Sequence, residues 1–576
     1  MDTHRSLGME EANTHLLARI SSEDSRISSS ESFSDYHDDV PESYFYEKPH
    51  RSPKSRFGRF LSNLTYSPLG IWKRRKTKSK KLRIFSCIFN LVVLGFIICL
   101  LWVLGNGVLR PSYSNFPQRY QELAALATSS NIPGRGNPRG EKVFIASNII
   151  QHELIRGPWG ASVLELIDML GPDNVFVSIY ENDSGPETVQ ALQWFQQQLN
   201  CEHSIVTGDH LPLSDFPTVI IPKGEPRVQR LTYLAEVRNR LLVPLDNPPV
   251  LESGHTPSVN YTSTRFDRVL FINDIYFNPE DALNLLFSTN QNPTTGIAEY
   301  QGACALDFLR GGTLYDSFVI RDTDGYEIST SLYPFFTARG SATSRDAVLA
   351  QSDTVPVRSC WSGMAAYEAT PFLQRAIVDA HPPSILTQNT MPNTTQIEQP
   401  LRFRHEPEIF WDASECCLLN ADLLARTPDS PKMFVNPYIR VAYDLSTWRW
   451  QPRFQRFERA YTPLQWFAEW FPAGWEHNPR RTQNPRETVT VQTWTYENSA
   501  LNGEHNRNAS MDAENGLSWP MPEEQMAGHW QKVEKVARGD GYCGKRGLMV
   551  MLTDLQKANR DGGGRNWELV KAPKGL

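Results

Sequence analysis

Three apolar runs in the first half of the chain end on polar groups suited to a charged ligand. Val143–Ser147 ends on Ser147-Asn148, Val175–Tyr180 on Glu181-Asn182, and Arg268–Ile272 on Asn273-Asp274. In an open parallel sheet, ligands bind beyond the carboxyl ends of the strands, so these side chains are candidate ligand contacts. A carboxylate leaving a buried strand at that edge can hold a divalent cation against phosphate oxygens. Mg2+ and Mn2+ take oxygen ligands, and a diphosphate-bound cation needs only one or two protein carboxylates. Asp274 is the candidate metal ligand; the alternative is an Asp that opens the turn at Asn278-Pro279.

Arg238 falls in the middle of an apolar helical stripe formed by Leu231, Leu234, Ala235, Leu241 and Leu242. An unpaired buried guanidinium costs several kcal/mol, so Arg238 is expected to meet an anion, either a carboxylate or a ligand phosphate. Asn239 flanks the stripe and can hydrogen-bond a nucleotide or sugar. Asp322-Thr323-Asp324-Gly325 spells Asp-x-Asp after an apolar run at Phe318–Ile320, read as a strand. Asp-Gly there is also a turn signal, which suits Asp324 and leaves Asp322 open. Asp307 and Asp316 flank a glycine pair as acceptor-side candidates. Trp361, within Cys360-Trp361-Ser362-Gly363-Met364, is a platform for a sugar ring or a core residue. Glu415, in Ser414-Glu415-Cys416-Cys417, stands at a helix start as a capping anion or a catalytic carboxylate. The chain has no P-loop, no Gly-x-Ser-x-Gly and no His-Glu-x-x-His, and its 13 His form no metal-spaced cluster.

The elements that must position these groups alternate. The patterns predict strands at 143–147, 175–180, 204–207 and 268–272, and helices over 159–170, 188–199 and 229–242. Continuous apolar strands alternating with helices imply an α/β fold with a parallel sheet covered on both faces. Gly544–Leu552 reads as a late strand, and Thr482–Gly528 as a long loop or disorder.

Ile84–Leu109 carries no charged residue and is long enough to cross a bilayer. Lys73, Arg74, Arg75, Lys76, Lys78, Lys80, Lys81 and Arg83 precede it, which places the N-terminal side in the cytosol. Sequons at Asn182, Asn260, Asn393 and Asn508 lie on the opposite side. The organisation is then a disordered cytosolic tail (1–83), a transmembrane helix (84–109), a lumenal stem or linker (110–141), the folded domain (142–450) and a partly disordered C-terminal extension (451–576). With 576 residues, 40% of them hydrophobic, and a net charge of -6, the chain can bury a sizeable core and does not suit nucleic acid as a partner.

Taken in order, several blocks resemble the fungal capsule-associated mannosyltransferase family, also called glycosyltransferase family 69. They are the residues 143–148, 175–181, 234–239 and 269–274 already quoted, then Ala303-Cys304-Ala305-Leu306-Asp307-Phe308, Tyr315-Asp316 with Arg321-Asp322, Ser359–Met364, Ser414–Cys417, and Asn436-Pro437 with Val441-Ala442-Tyr443. The resemblance covers about Lys142 to Tyr443. It implies a GT-A-like nucleotide-sugar transferase domain with a mixed, mostly parallel sheet. It also implies type II topology in a Golgi or ER membrane, GDP-mannose as donor, a mannose-containing glycan as acceptor, α-1,3 transfer, and Mn2+ or Mg2+. On that basis Ser147, Asn148, Glu181, Arg238, Asn239, Asn273, Asp322 and Trp361 are expected to contact the donor and Asp274 the metal. Glu415 and Asp307 are the expected nucleophile or oxocarbenium stabiliser. Two departures stand out: the family often has Asn where this chain has Ser362, and Asp274 is one carboxylate rather than a full Asp-x-Asp. The rival reading is a non-catalytic, membrane-anchored scaffold or glycan-binding protein in polysaccharide assembly.

Overall fold

The computed structural model describes residues 80–222, 226–246, 266–310, 312–373, 399–428, 431–470, 478–498, 501, 527–553 and 566–574. The N-terminal tail, the basic cluster's residues 73–78, and the sequons at Asn260, Asn393 and Asn508 lie outside them.

The body is built on a nine-stranded sheet of β1 (Val143–Ser147), β2 (Val175–Asn182), β3 (Glu202–Asp209), β4 (Arg268–Ile272), β5 (Gly302–Leu309), β6 (Thr313–Leu314), β7 (Val355–Pro356), β8 (Met364–Glu368) and β9 (Met433–Ala442). The spatial order is β3-β2-β1-β4-β8-β5-β9-β7, with β6 paired to β5. β1, β2, β3, β4, β5 and β9 run one way; β6, β7 and β8 run against them. The sheet is therefore mixed and mostly parallel, as the resemblance implies. β8 makes it so, entering antiparallel between β4 and β5. Every residue of β1 and β4 is buried, which explains their unbroken apolar runs. Across β1 and β2, the paired Phe144 and Phe176 stack with ring centroids 5.4 Å apart.

The predicted helices are present with shifted ends. The first follows the apolar span α1 (Lys80–Leu109) and a helix α2 (Gln118–Thr128). It is α3 (Pro158–Leu170), which begins with Pro at its first position and stops at Gly171, whose φ of 87° suits glycine. α4 (Pro186–Gln196) and α5 (Arg230–Asp246) are the other two. α5 packs on β1 and β2, where Ser178 Oγ donates to Leu241 O at 2.7 Å. α6 (Pro279–Phe287) packs on β5, β8 and β9. α7 (Glu415–Ala425) and α8 (Leu445–Phe457) flank β9 in sequence.

Three expectations differ from the structure. Phe318–Ile320 is not a strand: Val319 N donates to Asp316 Oδ1 at 3.0 Å, folding the run into a turn, and only Arg321 bridges to Ser359. The stretch 110–141 is not a free linker. Tyr113 and Tyr120 are buried, Arg119 and Arg135 form ion pairs with Asp353 and Asp168, and Asn436 Nδ2 donates to Tyr120 OH at 2.6 Å. Finally, part of Thr482–Gly528 is ordered, because Thr488–Tyr496 pairs antiparallel with Gly528–Val536, setting Trp494 against Trp530.

The C-terminal residues belong to the same packed body. Gly544–Arg546 pairs with Trp411–Ala413, Cys417 is disulfide-bonded to Cys543, and Arg321 Nε donates to Tyr542 O at 2.7 Å. Met549 N donates to Asp412 Oδ2 at 2.7 Å, and burial pushes the Asp412 carboxyl up to about 7. Two outcomes follow from this attachment. Replacing Cys417 and Cys543 by Ser is expected to lower unfolding free energy by about 2–4 kcal/mol in denaturant melts and to expose residues beyond 540 to protease. The raised Asp412 pKa favours folding fully below pH about 4 and loses that contribution as pH rises through about 7. The thermal midpoint should therefore climb between pH 8 and pH 5, and Asp412→Asn should flatten the climb and exceed the parent at pH 8.

Candidate active site

At the carboxyl edge of the sheet lies a small cleft lined by charged and aromatic side chains. Arg230 and Arg238 reach it from α5, Asn273 from the end of β4, Asp307 from β5, and Glu415 from the first turn of α7. Tyr315, Asp316, Trp361 and Tyr443 complete the polar and aromatic wall.

Arg238 is 2% exposed and donates from Nε to Glu415 Oε1 at 2.9 Å; the Glu415 residue is also 2% exposed. Its guanidinium lies 4.5 Å from the Trp361 ring centroid and 5.7 Å from that of Phe403. The anion that the helical stripe demands is thus a carboxylate of the protein. Glu415 occupies the first turn of α7 but turns its carboxylate to Arg238 and to Cys416 Sγ, 3.5 Å away. Trp361 donates to Asn273 Oδ1 at 3.4 Å, and Asn273 Nδ2 reaches Tyr443 OH at 3.4 Å. Trp361 is both a core residue, packed on Phe271, and a wall of the cleft.

Opposite stands a carboxyl pair. Asp307 Oδ1 accepts from Asp316 N at 3.0 Å, while Asp316 accepts from Ser362 N at 2.9 Å and Val319 N at 3.0 Å. Asp307 Oδ2 is buried and makes no hydrogen bond of ordinary geometry, although the nearby Tyr443 hydroxyl favours its charged form. Burial first, and then repulsion from Asp316, hold the Asp307 carboxyl well above the usual range; burial also raises Asp316. The loop that carries Trp361 and Ser362 is fastened to β5 by the Cys304–Cys360 disulfide. Ser362 has φ 52° and Gly363 φ 71°. A Cβ on Gly363 would meet Ile275 Cγ2 at 3.0 Å. Ser362 therefore stands in the left-handed region, which Asn tolerates better than Ser.

Asp274 follows the cleft residue Asn273. It is buried, accepts from Gln151 Nε2 at 3.2 Å, and is pushed up to about 7 by burial, an effect eased by its own backbone amide and by the Arg238 charge. Among the described residues, no group of three or more His, Cys, Asp or Glu gathers to hold a metal. The donor chemistry nonetheless fits a diphosphate-bound divalent cation. The Asp274 and Asn273 oxygens are hard ligands, and a buried carboxyl raised to about 7 is one that a cation would ionise.

Asp274 itself is not among the residues that line the cleft, and the remaining candidates are not brought into it either. Ser147 Oγ and Asn148 Oδ1 are buried at the end of β1 without a hydrogen-bond partner, and Asn148 Nδ2 donates to Tyr180 O at 3.0 Å. Glu181 accepts from Ser184 N at 2.8 Å and Gly208 N at 2.7 Å, bracing the loop after β2. Asn239 exchanges hydrogen bonds of 2.9 and 2.8 Å with the Phe403 backbone. Asp322 accepts from Asp324 N at 2.9 Å and Tyr326 N at 2.8 Å, so the Asp-x-Asp-Gly stretch is a turn. Arg230, Tyr315 and Tyr443 also line the cleft, although the sequence analysis named none of them as a candidate contact. The signal for Arg230 was its place two turns before Arg238 on the same face of α5, with its guanidinium 4.5 Å from the Trp567 ring centroid.

The domain is thus a mixed, mostly parallel α/β sheet with a polar cleft at its carboxyl edge. Residues 142–422, just under half of the chain, match the family model described as Cryptococcal mannosyltransferase 1, which supports a mannosyltransferase-family domain. Among solved structures, the chain is similar to TarS 1-349 of S. aureus, with 10% identity, 52% of this chain and 60% of that chain covered, and a TM-score of 0.25. It is also similar to the mannosyltransferase PcManGT from Pyrobaculum calidifontis, solved in complex with GDP-Man and Mn2+, with 12% identity, 65% and 79% coverage, and a TM-score of 0.27. No curated protein matched.

Removing one partner of the buried ion pair leaves the other charged and desolvated. Arg238→Leu is expected to cost about 3–5 kcal/mol in equilibrium denaturation, and Arg238→Leu with Glu415→Leu to recover most of it. A double variant no more stable than the single one would show that the pair is not the dominant interaction there.

Proposed function

We propose that the chain is a single-pass type II membrane enzyme that transfers mannose from GDP-mannose to a mannose-containing glycan, in α-1,3 linkage, on the lumenal side of a Golgi or ER membrane. One observation carries the transferase reading. Within the family-matched segment, two guanidinium groups, a carboxyl pair and the strand-end Asn273 converge on one cleft. Sugar donor, diphosphate and acceptor chemistry all find matching groups there.

Arg230 and Arg238 supply positive charge for the diphosphate as it leaves. Fixed charge aimed at developing charge is the largest single contribution in many enzymes. Glu415 holds Arg238 in place, so it acts as a positioning residue, and Trp361 gives the sugar an apolar face. Asp307, which lines the cleft beside Tyr443 and is not tied to an arginine, is the better placed of the two carboxyl groups to face the anomeric carbon in a configuration-retaining transfer. A divalent cation at Asp274, with Asn273 beside it, would add neutralisation of the diphosphate.

The membrane reading is supported by Ile84–Gly107, a 24-residue helical span of mean hydropathy 2.8 whose most apolar window is not buried in the body. The two disulfides suit an oxidising compartment.

The test uses the full chain in detergent with GDP-mannose, Mn2+ and simple mannosides, reading GDP release and product linkage. Turnover should stop with EDTA, and Asp274→Asn should lower kcat/KM by about 100-fold or more with an unchanged thermal midpoint. Parent-like turnover of that variant would remove Asp274 from the metal site. No GDP-mannose binding at millimolar concentration would leave the scaffold reading in its place.

A further inference from the structure

The end of α1 is joined to the body without a spacer. A Cβ on Gly107 would meet Phe457 Cδ1 at 3.3 Å and Ala460 Cβ at 4.0 Å. A few residues later, Ser112 N donates to Arg456 O at 3.3 Å, Ser112 Oγ to Glu458 Oε1 at 2.6 Å, and Gln455 Nε2 to Tyr113 O at 2.8 Å. Glu458 is itself locked by Arg440 through two contacts of 2.8 Å. Whatever surrounds the last turns of α1 therefore also lies beside α8.

α8 is turned inside out. Its buried positions, Thr447 and Gln451, are polar. Its outward positions Trp450, Phe454 and Phe457 are 50%, 40% and 45% exposed, and their i, i+4, i+7 spacing makes them one stripe. Arg449, Arg453 and Arg456 are exposed at the same spacing one position earlier, with the Arg453 guanidinium 4.5 Å from the Trp450 ring centroid. The next helix, Thr462–Trp470, exposes Leu464 at 57%. An aromatic stripe bordered by guanidinium groups, at the end of an apolar span, has the composition of a helix lying in a membrane interface.

We infer that α8 and the Thr462–Trp470 helix rest on the bilayer, with Trp450, Phe454 and Phe457 in the boundary between headgroups and acyl chains and the arginines on lipid phosphates. This rests on the reading of α1 as a membrane span. The occupant is lipid rather than a second copy because the stripe continues the exposed apolar surface of α1, where Leu101, Trp102 and Leu104 are 63%, 47% and 53% exposed. Lipid that covers α1 meets Phe457 next. The body then has one fixed face toward the bilayer.

The experiment reconstitutes the full chain in vesicles of phosphatidylcholine and phosphatidylserine. An environment-sensitive fluorophore is attached at Trp450→Cys or Leu464→Cys, and Val206→Cys on β3 serves as control. The unmodified chain, labelled in parallel, gives the background from Cys87, Cys99, Cys201 and Cys416. Lipids carrying a nitroxide near the headgroup should quench the probes at 450 and 464 at least about twofold more than the probe at 206. Changing Arg449, Arg453 and Arg456 together to Glu should abolish that excess quenching at 464 while the thermal midpoint stays. Equal quenching at all three positions in vesicles that retain the chain overturns the inference and leaves the span intact. Shielding that grows with protein density and not with lipid quencher overturns it in favour of a second copy. A chain that does not float with the vesicles removes the span reading and this inference together.

Discussion

A buried guanidinium facing a buried carboxylate, Arg238 on Glu415, organises the ligand edge of this domain. It joins α5, which packs on the first half of the sheet, to α7, which follows β8 and precedes β9. Two desolvated charges tolerate little misplacement, so the pair sets the distance between the helices and hence the width of the cleft. Trp361 and Phe403 close over the guanidinium and keep water from screening it. The same arrangement makes the cleft electrostatically divided, with arginines on the α5 side and the Asp307–Asp316 carboxyls on the β5 side.

Much of the framework was legible from pattern alone. Strands that are buried on both faces read as unbroken apolar runs, and β1 and β4 have the expected limits because nothing competes with that signal. The burial of Arg238 was also readable, since it depends only on helical periodicity. Its partner was not: choosing between a ligand phosphate and Glu415 requires knowing where α7 lies, 177 residues further on. The same limit applies to Asp322 and Glu181. Each has the residue type of a ligand contact, but the decisive fact is whether backbone amides already occupy its oxygens. Phe318–Ile320 misled in the opposite sense. Its apolar side chains do enter the interior, but from a turn that Asp316 closes rather than from a strand.

The C-terminal third was the least legible because its order is supplied by distant partners. Thr488–Tyr496 has strand-like alternation but finds its mate only at Gly528–Val536, and Gly544–Arg546 pairs with residues more than a hundred positions earlier. Such contacts leave no local trace beyond a few aromatic and β-branched residues. In the folded chain they are close to the chemistry. Trp567 lies against Arg230, Lys545 against Phe318, and Cys543 is bonded to the residue next to Cys416. Part of the chain outside the family-matched segment thus braces residues that line the cleft or adjoin it.

The last strand of the sheet, β7, has a consequence for assembly. It is two residues long, and one of them, Pro356, has no amide proton to offer a neighbour. The Pro356 carbonyl is already taken by Ser344 Oγ at 2.6 Å, from the short helix Thr343–Leu349 packed along that margin. A strand from another molecule arriving there would find neither a donor nor an open acceptor, so this margin is sealed against runaway sheet growth.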